Sequence, residues 1–142
     1  MTAVTMPGEY RRASEDFDHY LDDMRADTLI DSRNVVYTMT QGVFQTFHRR
    51  LDLADALRFA DVLPPVLRAI FVAGWSPDEA KRSFEDRPAV TREVQSLRGD
   101  CNFAPDTAIR EVAMAVRKHV DAAAFARVLK TLPDGAEEFW RP

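Results

Sequence analysis

The chain has 142 residues, of which 46% are hydrophobic and 30% charged, and this balance excludes a disordered or fibrous protein. Its net charge of −4 argues against a general binder of nucleic acids or anionic membranes. The single cysteine, Cys101, cannot form an internal disulfide, which favours a reducing compartment. No apolar run is long enough for a signal peptide or a bilayer span, so we expect a cytoplasmic protein. A chain of this length is expected to form a single domain.

The first predicted helix carries the strongest charge pattern in the chain. Residues 1–14 are predicted to form a flexible arm, and a single helical domain is predicted over residues 15–142. One face of the first helix is apolar and the other is acidic. The acidic face comprises Asp16, Asp18, Asp22, Asp23 and Asp27. This face is a candidate surface for a basic partner or a second copy of the chain, and the alternative is an exterior that is only solvated.

Two long helices are predicted from apolar residues that recur every three or four positions. The first lies between Asn34 and Leu51, and Ser32 stands just before it, where a short polar side chain caps a helix. The second runs from about Pro105 to Val120, and the proline suits a first helical turn. No segment alternates apolar and polar residues over the length of a strand. The expected fold class is therefore all-α.

Three further helix boundaries are predicted from local motifs. Ser76-Pro77-Asp78-Glu79 has the pattern of a capping box and predicts a linker helix over residues 76–85. Pro88 is predicted to begin another helix, and Gly99 to end it. Asp134-Gly135-Ala136-Glu137 offers a second capping box near the C-terminus.

The second long helix and the residues after it repeat the pattern of the first. The order of short helix, long helix, aspartate cap, short helix, Leu-Pro step and aromatic residue occurs twice. Corresponding residues include Asp52 and Asp121, Leu63-Pro64 and Leu132-Pro133, and Phe71 and Trp140. We therefore predict a helical bundle of two similar halves, about residues 15–73 and 88–141, packed around a pseudo-two-fold axis.

These motifs together resemble a known family. They are Phe17-Asp-His-Tyr-Leu21, the Arg50-Leu51 helix end, Leu63-Pro64-x-x-Leu67-Arg68, Gly74-Trp75, the Val90–Gly99 helix and Leu132-Pro133 followed by Phe139-Trp140. From about Glu15 to Trp140, the chain resembles the bacterial and archaeal domain-of-unknown-function family 2267. The resemblance implies an all-helical duplicated domain with no assigned activity and no catalytic residues. The predicted linker helix departs from the family pattern, which has a loop in many members.

Motifs for phosphate binding and hydrolysis are missing from the sequence. The five glycines are dispersed, so they cannot form a phosphate-binding loop or a dinucleotide fingerprint, and no serine lies in a Gly-x-Ser-x-Gly elbow. Cys101 near His119 allows a nucleophile or zinc interpretation, although a lone cysteine at such a junction is typical of a small buried hydrophobe. We predict no catalytic residue and no cofactor.

A metal site is also not predicted. Helical bundles hold metals with two Glu-x-x-His pairs, whereas this chain has one Asp16-x-x-His19 and one Gln45-x-x-His48. His48 and Asp52 lie four residues apart and could share an ion, but such a pair supplies only half of a coordination shell. We interpret these histidines as residues on the solvated flanks of amphipathic helices.

The basic residues are interpreted as structural. Arg49-Arg50 and Arg117-Lys118 lie near helix C-termini, where cations complement the helix dipole.

The favoured function is a non-catalytic protein-interaction or oligomerisation module, because the sequence contains no catalytic motif. One alternative is a small-ligand or metal-binding protein or enzyme with its site between the two halves. A further alternative is a nucleic-acid-associated regulator that binds through its arginines.

Overall fold

The computed structural model describes residues 5–97 and 104–142, and the secondary structure within these residues is entirely helical. The helices are α1 Gly8–Arg11, α2 Ala13–Thr28, α3 Arg33–His48, α4 Leu53–Asp61, α5 Pro65–Val72, α6 Arg87–Ser96, α7 Ala108–Lys118, α8 Ala122–Thr131 and α9 Ala136–Phe139. The predicted all-α class is confirmed. The helix end predicted at Gly99 and the candidate Cys101 lie outside the described residues.

Three of the predicted helix starts have side-chain caps. Ser32 accepts a hydrogen bond from the Val35 backbone N–H at the start of α3. Asp52 and Asp121 accept from backbone N–H groups in the first turns of α4 and α8, at 3.0 Å and 2.8 Å respectively. The two aspartates therefore perform the same task in the two halves, as predicted. In the described residues, no helix is both long enough and apolar enough to cross a bilayer.

The flexible arm over residues 1–14 stays a prediction, and its described residues include α1 and the start of α2. Helix α1 occupies Gly8–Arg11, and α2 already begins at Ala13. The Arg12 N–H donates to the Gly8 carbonyl, and the Asp16 N–H donates to the Arg12 carbonyl. These hydrogen bonds join residues four positions apart, as in an α-helix, and they connect α1 to the start of α2.

The prediction of a linker helix over residues 76–85 is wrong, because no helix forms there. The capping-box motif forms only one turn, in which the Glu79 N–H donates to the Ser76 carbonyl at 3.2 Å. The rest of residues 76–86, here called the strap, runs across α3 without helical structure. The Arg82 N–H donates to the Arg49 carbonyl at 2.9 Å, so a backbone donor that a helix would use internally bonds to the residue that follows α3 instead. Tertiary contacts override the local signal here.

Phe84 fixes the far end of the strap. Its ring packs 6.0 Å from the ring of Phe47 in the core, and it lies directly over Gly135. Gly135 has a φ of +102°, and a Cβ there would lie 2.7 Å from the Phe84 side chain, so only glycine fits. Gly135 is itself the residue before α9, and the capping box predicted from Asp134 is wrong.

Helices from the first part of the chain pack against helices from the second part. In the predicted division, helices α2 to α5 belong to the first half, and α6 to α9 belong to the second. Helix α2 packs on α7, α6 packs on α3, and α4 packs on α8. A two-fold relation between halves requires this kind of exchange, and the superposition itself stays a prediction. The centre is a cluster of buried rings that includes Phe44, Phe47, Phe59, Phe71, Phe125 and Trp140.

Candidate interaction surfaces

Two aspartates of the acidic face of α2 bind an arginine of α3. Asp22 accepts from Arg33 at 3.0 Å through both carboxylate oxygens, and it also contacts Arg25 at 3.3 Å. Asp18 lies 3.5 Å from the same Arg33 side chain. These ion pairs cross from α2 to the helix that follows it. Both carboxylates therefore meet intramolecular cations.

Two more aspartates join α2 to α7, and so the first half to the second. Asp23 Oδ2 lies 2.7 Å from His119 Nε2, and Asp27 forms an ion pair with Lys118. The hydrogen bond from Lys118 to Asp27 raises the pKa of the lysine above its ordinary value. Because His119 and Lys118 lie at the C-terminal end of α7, these contacts hold one end of the α2–α7 packing.

Asp16 differs from the other four aspartates of the acidic face. Its side chain is half-buried, and it forms no ion pair or hydrogen bond with the residues that the structure describes. It lines a cavity of about 80 Å³ between α2, α5 and the C-terminal end of α7. The cavity is lined by Ala13, Asp16, Phe17, Tyr20, Pro64, Val66, Leu67 and His119.

Aromatic rings form one wall of this cavity. Phe17 and Tyr20 stack with ring centroids 6.1 Å apart, and Tyr20 meets His119 edge-on at 5.5 Å. The Tyr20 hydroxyl lies 2.8 Å from Thr40 Oγ1, and burial raises the pKa of the tyrosine well above its ordinary value. The cavity is therefore lined largely by apolar and aromatic side chains. Because His119 belongs to the second half, the cavity lies between the two halves.

A second surface combines exposed leucines with a shallow groove. Leu53 and Leu57 of α4 are 57% and 55% exposed, although the opposite face of α4 is buried in the core. Leu53 continues into a groove of about 270 Å³ whose apolar lining includes Trp75, Pro77 and Ala80. We call these five residues the apolar strip. Its sequence signal is a pair of leucines four residues apart on the helix face that the core does not use.

Charged residues of both signs surround the apolar strip. Arg49 and Lys81 line the same groove as Asp52 and Glu79. Arg49 Nε lies 3.6 Å from Glu79 Oε1, and Asp52 caps α4. Hydrogen bonding to the Asp55 N–H lowers the pKa of Asp52. The groove therefore combines apolar residues with charged residues of both signs, and we call these four charged residues the rim.

The histidines predicted to lie on solvated flanks divide into two environments. His19 is exposed, whereas His48 is buried, so the prediction is wrong for His48. His48 Nδ1 donates to the Phe71 carbonyl at 2.8 Å, and its ring stacks on Trp75 at 5.2 Å. It does not share a site with Asp52. Within residues 5–97 and 104–142, no three His, Cys, Asp or Glu side chains are grouped to hold a metal ion.

The arginines at the helix ends have structural roles, but not the one predicted from the helix dipole alone. The Arg50 side chain is fully buried, and it donates to both carboxylate oxygens of Glu93 at 3.0 Å. Arg117 donates to the Trp140 carbonyl at 3.0 Å and lies over the Phe125 ring. Both residues join distant segments, which their positions in sequence do not indicate.

Comparison with known proteins gives a family match over most of the chain. No functionally curated protein matches the chain. The model of an uncharacterized conserved protein family, DUF2267, matches residues 17–139. The match includes both Leu-Pro steps, α2 to α8 almost entirely, and the aromatic residue Phe139. On this evidence, and in agreement with the resemblance of its motifs, the chain belongs to the DUF2267 family.

Proposed function

We propose that this protein is a non-catalytic self-association module in which two copies meet through the apolar strip. The observation that carries the proposal is the position of Leu53 and Leu57. Both side chains are more than half exposed, one turn apart, on a helix whose other face is already buried. Contiguous exposed apolar residues with a polar rim are typical of protein interfaces.

The mixed charge of the rim supports a second copy as the partner. In a symmetric pair, the same patch meets itself, so a surface with acids only or bases only would repel its copy. Here Arg49 and Lys81 of one copy can face Asp52 and Glu79 of the other. The strip is small, which favours a weak and concentration-dependent association.

The test is the oligomeric state of a Leu53→Ser/Leu57→Ser double variant. We expect sedimentation velocity to show the parent chain associating between about 10 µM and about 1 mM. The double variant should stay monomeric over the same range. Leu29→Ser is the matched control because Leu29 is 89% exposed but lies outside the strip, and it should associate like the parent. A monomeric parent, or a double variant that associates equally, contradicts the proposal.

A further inference from the structure

The cavity between α2, α5 and α7 has the features of a binding site that is separate from the apolar strip. We infer that it binds a primary alkylammonium group, with the Asp16 carboxylate holding the cation and the aromatic and aliphatic walls holding the alkyl chain. The inference does not depend on self-association, because no residue of the strip lines the cavity.

The charge of the ligand follows from the carboxylate of Asp16. Asp18, Asp22 and Asp27 meet cations of this chain and Asp23 binds the imidazole of His119, whereas Asp16 has no such contact among the described residues. A half-buried carboxylate has lost part of its hydration and is stabilised by a cation that donates hydrogen bonds. The imidazole of His119 also lines the cavity, but its Nε2 is already bound to Asp23.

The walls of the cavity select an organic cation rather than a metal ion. A metal ion prefers several oxygen or nitrogen ligands, and Asp16 is the only carboxylate among the described residues that line the cavity. The faces of Phe17 and Tyr20 attract an ammonium group within about 6 Å of a ring centroid. Val66 and Leu67 provide the aliphatic surface on which a short alkyl chain can pack.

The size of the cavity limits the ligand. A water molecule needs about 10–15 Å³ of such space, so a cavity of about 80 Å³ admits a group of roughly five non-hydrogen atoms. Butylammonium has this size, and so does the end of a lysine side chain. The same chemistry can therefore come from a free small amine or from a lysine of another protein.

The experiment is a titration of the full chain with n-butylammonium chloride, followed by NMR of the Phe17, Tyr20 and His119 rings. We expect saturable shifts confined to these rings and their neighbours. n-Butanol, which has the same shape without the charge, should bind at least about tenfold more weakly. Ammonium chloride, which lacks the alkyl chain, should give no saturable shift.

A pair of variants isolates the role of the carboxylate. Asp16→Asn should weaken binding of butylammonium by about tenfold or more. Glu15→Gln removes the same charge one position away, from an exposed residue that does not line the cavity, and should change the affinity less than about twofold. Thermal unfolding of both variants should match the parent. Equal binding by the parent and Asp16→Asn overturns the inference.

A second pair of ligands distinguishes the two sources of the group. If a short peptide with one lysine binds at least about tenfold more tightly than butylammonium, the site is built for a protein partner. Equal binding identifies a free amine as the ligand class. Binding of n-butanol as tightly as butylammonium, or shifts spread over the whole acidic surface, contradicts the proposed site.

Discussion

The buried imidazole of His48 links stability to pH. The ring is 3% exposed, and burial lowers its pKa below the ordinary value of 6.5, against the opposing effect of the hydrogen bond to the Phe71 carbonyl. The unfolded chain therefore binds a proton more readily than the folded protein does. The contribution of His48 to stability is complete above about pH 6.5 and is lost as the pH falls toward the lower pKa of the folded state.

We expect His48→Gln to reduce the pH dependence of unfolding. The parent should lose at most about 1.4 kcal/mol of unfolding free energy per pH unit from this group as the pH falls below about 6.5. Urea unfolding at about pH 7.5 and about pH 5.5 measures the difference, in a range where most carboxylates stay ionised. His19→Gln, at an exposed position, is the control and should behave like the parent. An unchanged difference in His48→Gln would assign the effect to another group.

At the scale of elements, the strap depends on an ion-pair network beneath it. Arg50 is fully buried, binds Glu93 with two nitrogens, and donates from Nε to the Ser83 carbonyl of the strap at 3.0 Å. Arg82 of the strap also binds Glu93, at 3.1 Å. These arginines hold the pKa of Glu93 below its ordinary value, although burial acts in the opposite direction. One carboxylate thus connects α6, α3 and the strap.

Removing this carboxylate should be strongly destabilising. We expect Glu93→Gln to lower the unfolding free energy by about 3 kcal/mol, because it removes the carboxylate that binds the buried guanidinium of Arg50 at 3.0 Å and leaves only the exposed Glu85 near it. Denaturant unfolding measures the change. Glu85→Gln is the matched control, since Glu85 is 59% exposed and lies 3.8 Å from the same arginine, and it should change stability by less than about 1 kcal/mol. Equal losses in the two variants would remove the special role of Glu93.

Some elements could be predicted from the sequence, and others could not, for a physical reason. The caps at Ser32, Asp52 and Asp121 depend on residues three positions away, and the apolar stripes of α3 and α7 depend on helical spacing, so local patterns suffice. The strap depends on Phe84 meeting Gly135, which is distant in sequence. The prediction of a linker helix therefore failed where a distant contact decided the conformation.

The candidate surfaces show the same distinction. The sequence predicts that the acidic residues of α2 share a helix face. It does not predict their partners His119 and Lys118, which are distant in sequence. The cavity likewise needs Pro64, Val66 and His119 to meet α2. The spacing of residues along the chain does not predict which distant helices pack together. The sequence therefore predicts an acidic face but not that Asp16 lines a cavity.

At the scale of the whole molecule, the predicted duplication implies that equivalent residues contribute similarly to the free energy of unfolding. Leu63 and Leu132 stand at the two Leu-Pro steps, and both are buried. If they occupy equivalent corners, Leu63→Ala and Leu132→Ala should each lower the unfolding free energy by about 2–5 kcal/mol. Denaturant unfolding of each variant measures this. A loss in one variant and none in the other would show that the halves are not equivalent at these corners.

The exchange of contacts between halves has a consequence for how the chain folds. Because α2 packs on α7 and α6 packs on α3, each half buries apolar surface against the other. Two separate chains with these halves would have to find each other by mass action, and their folding would depend on concentration. The strap joins them covalently, so the encounter is intramolecular, at an effective concentration in the millimolar range for a short connection. Folding of the joined halves is then independent of dilution.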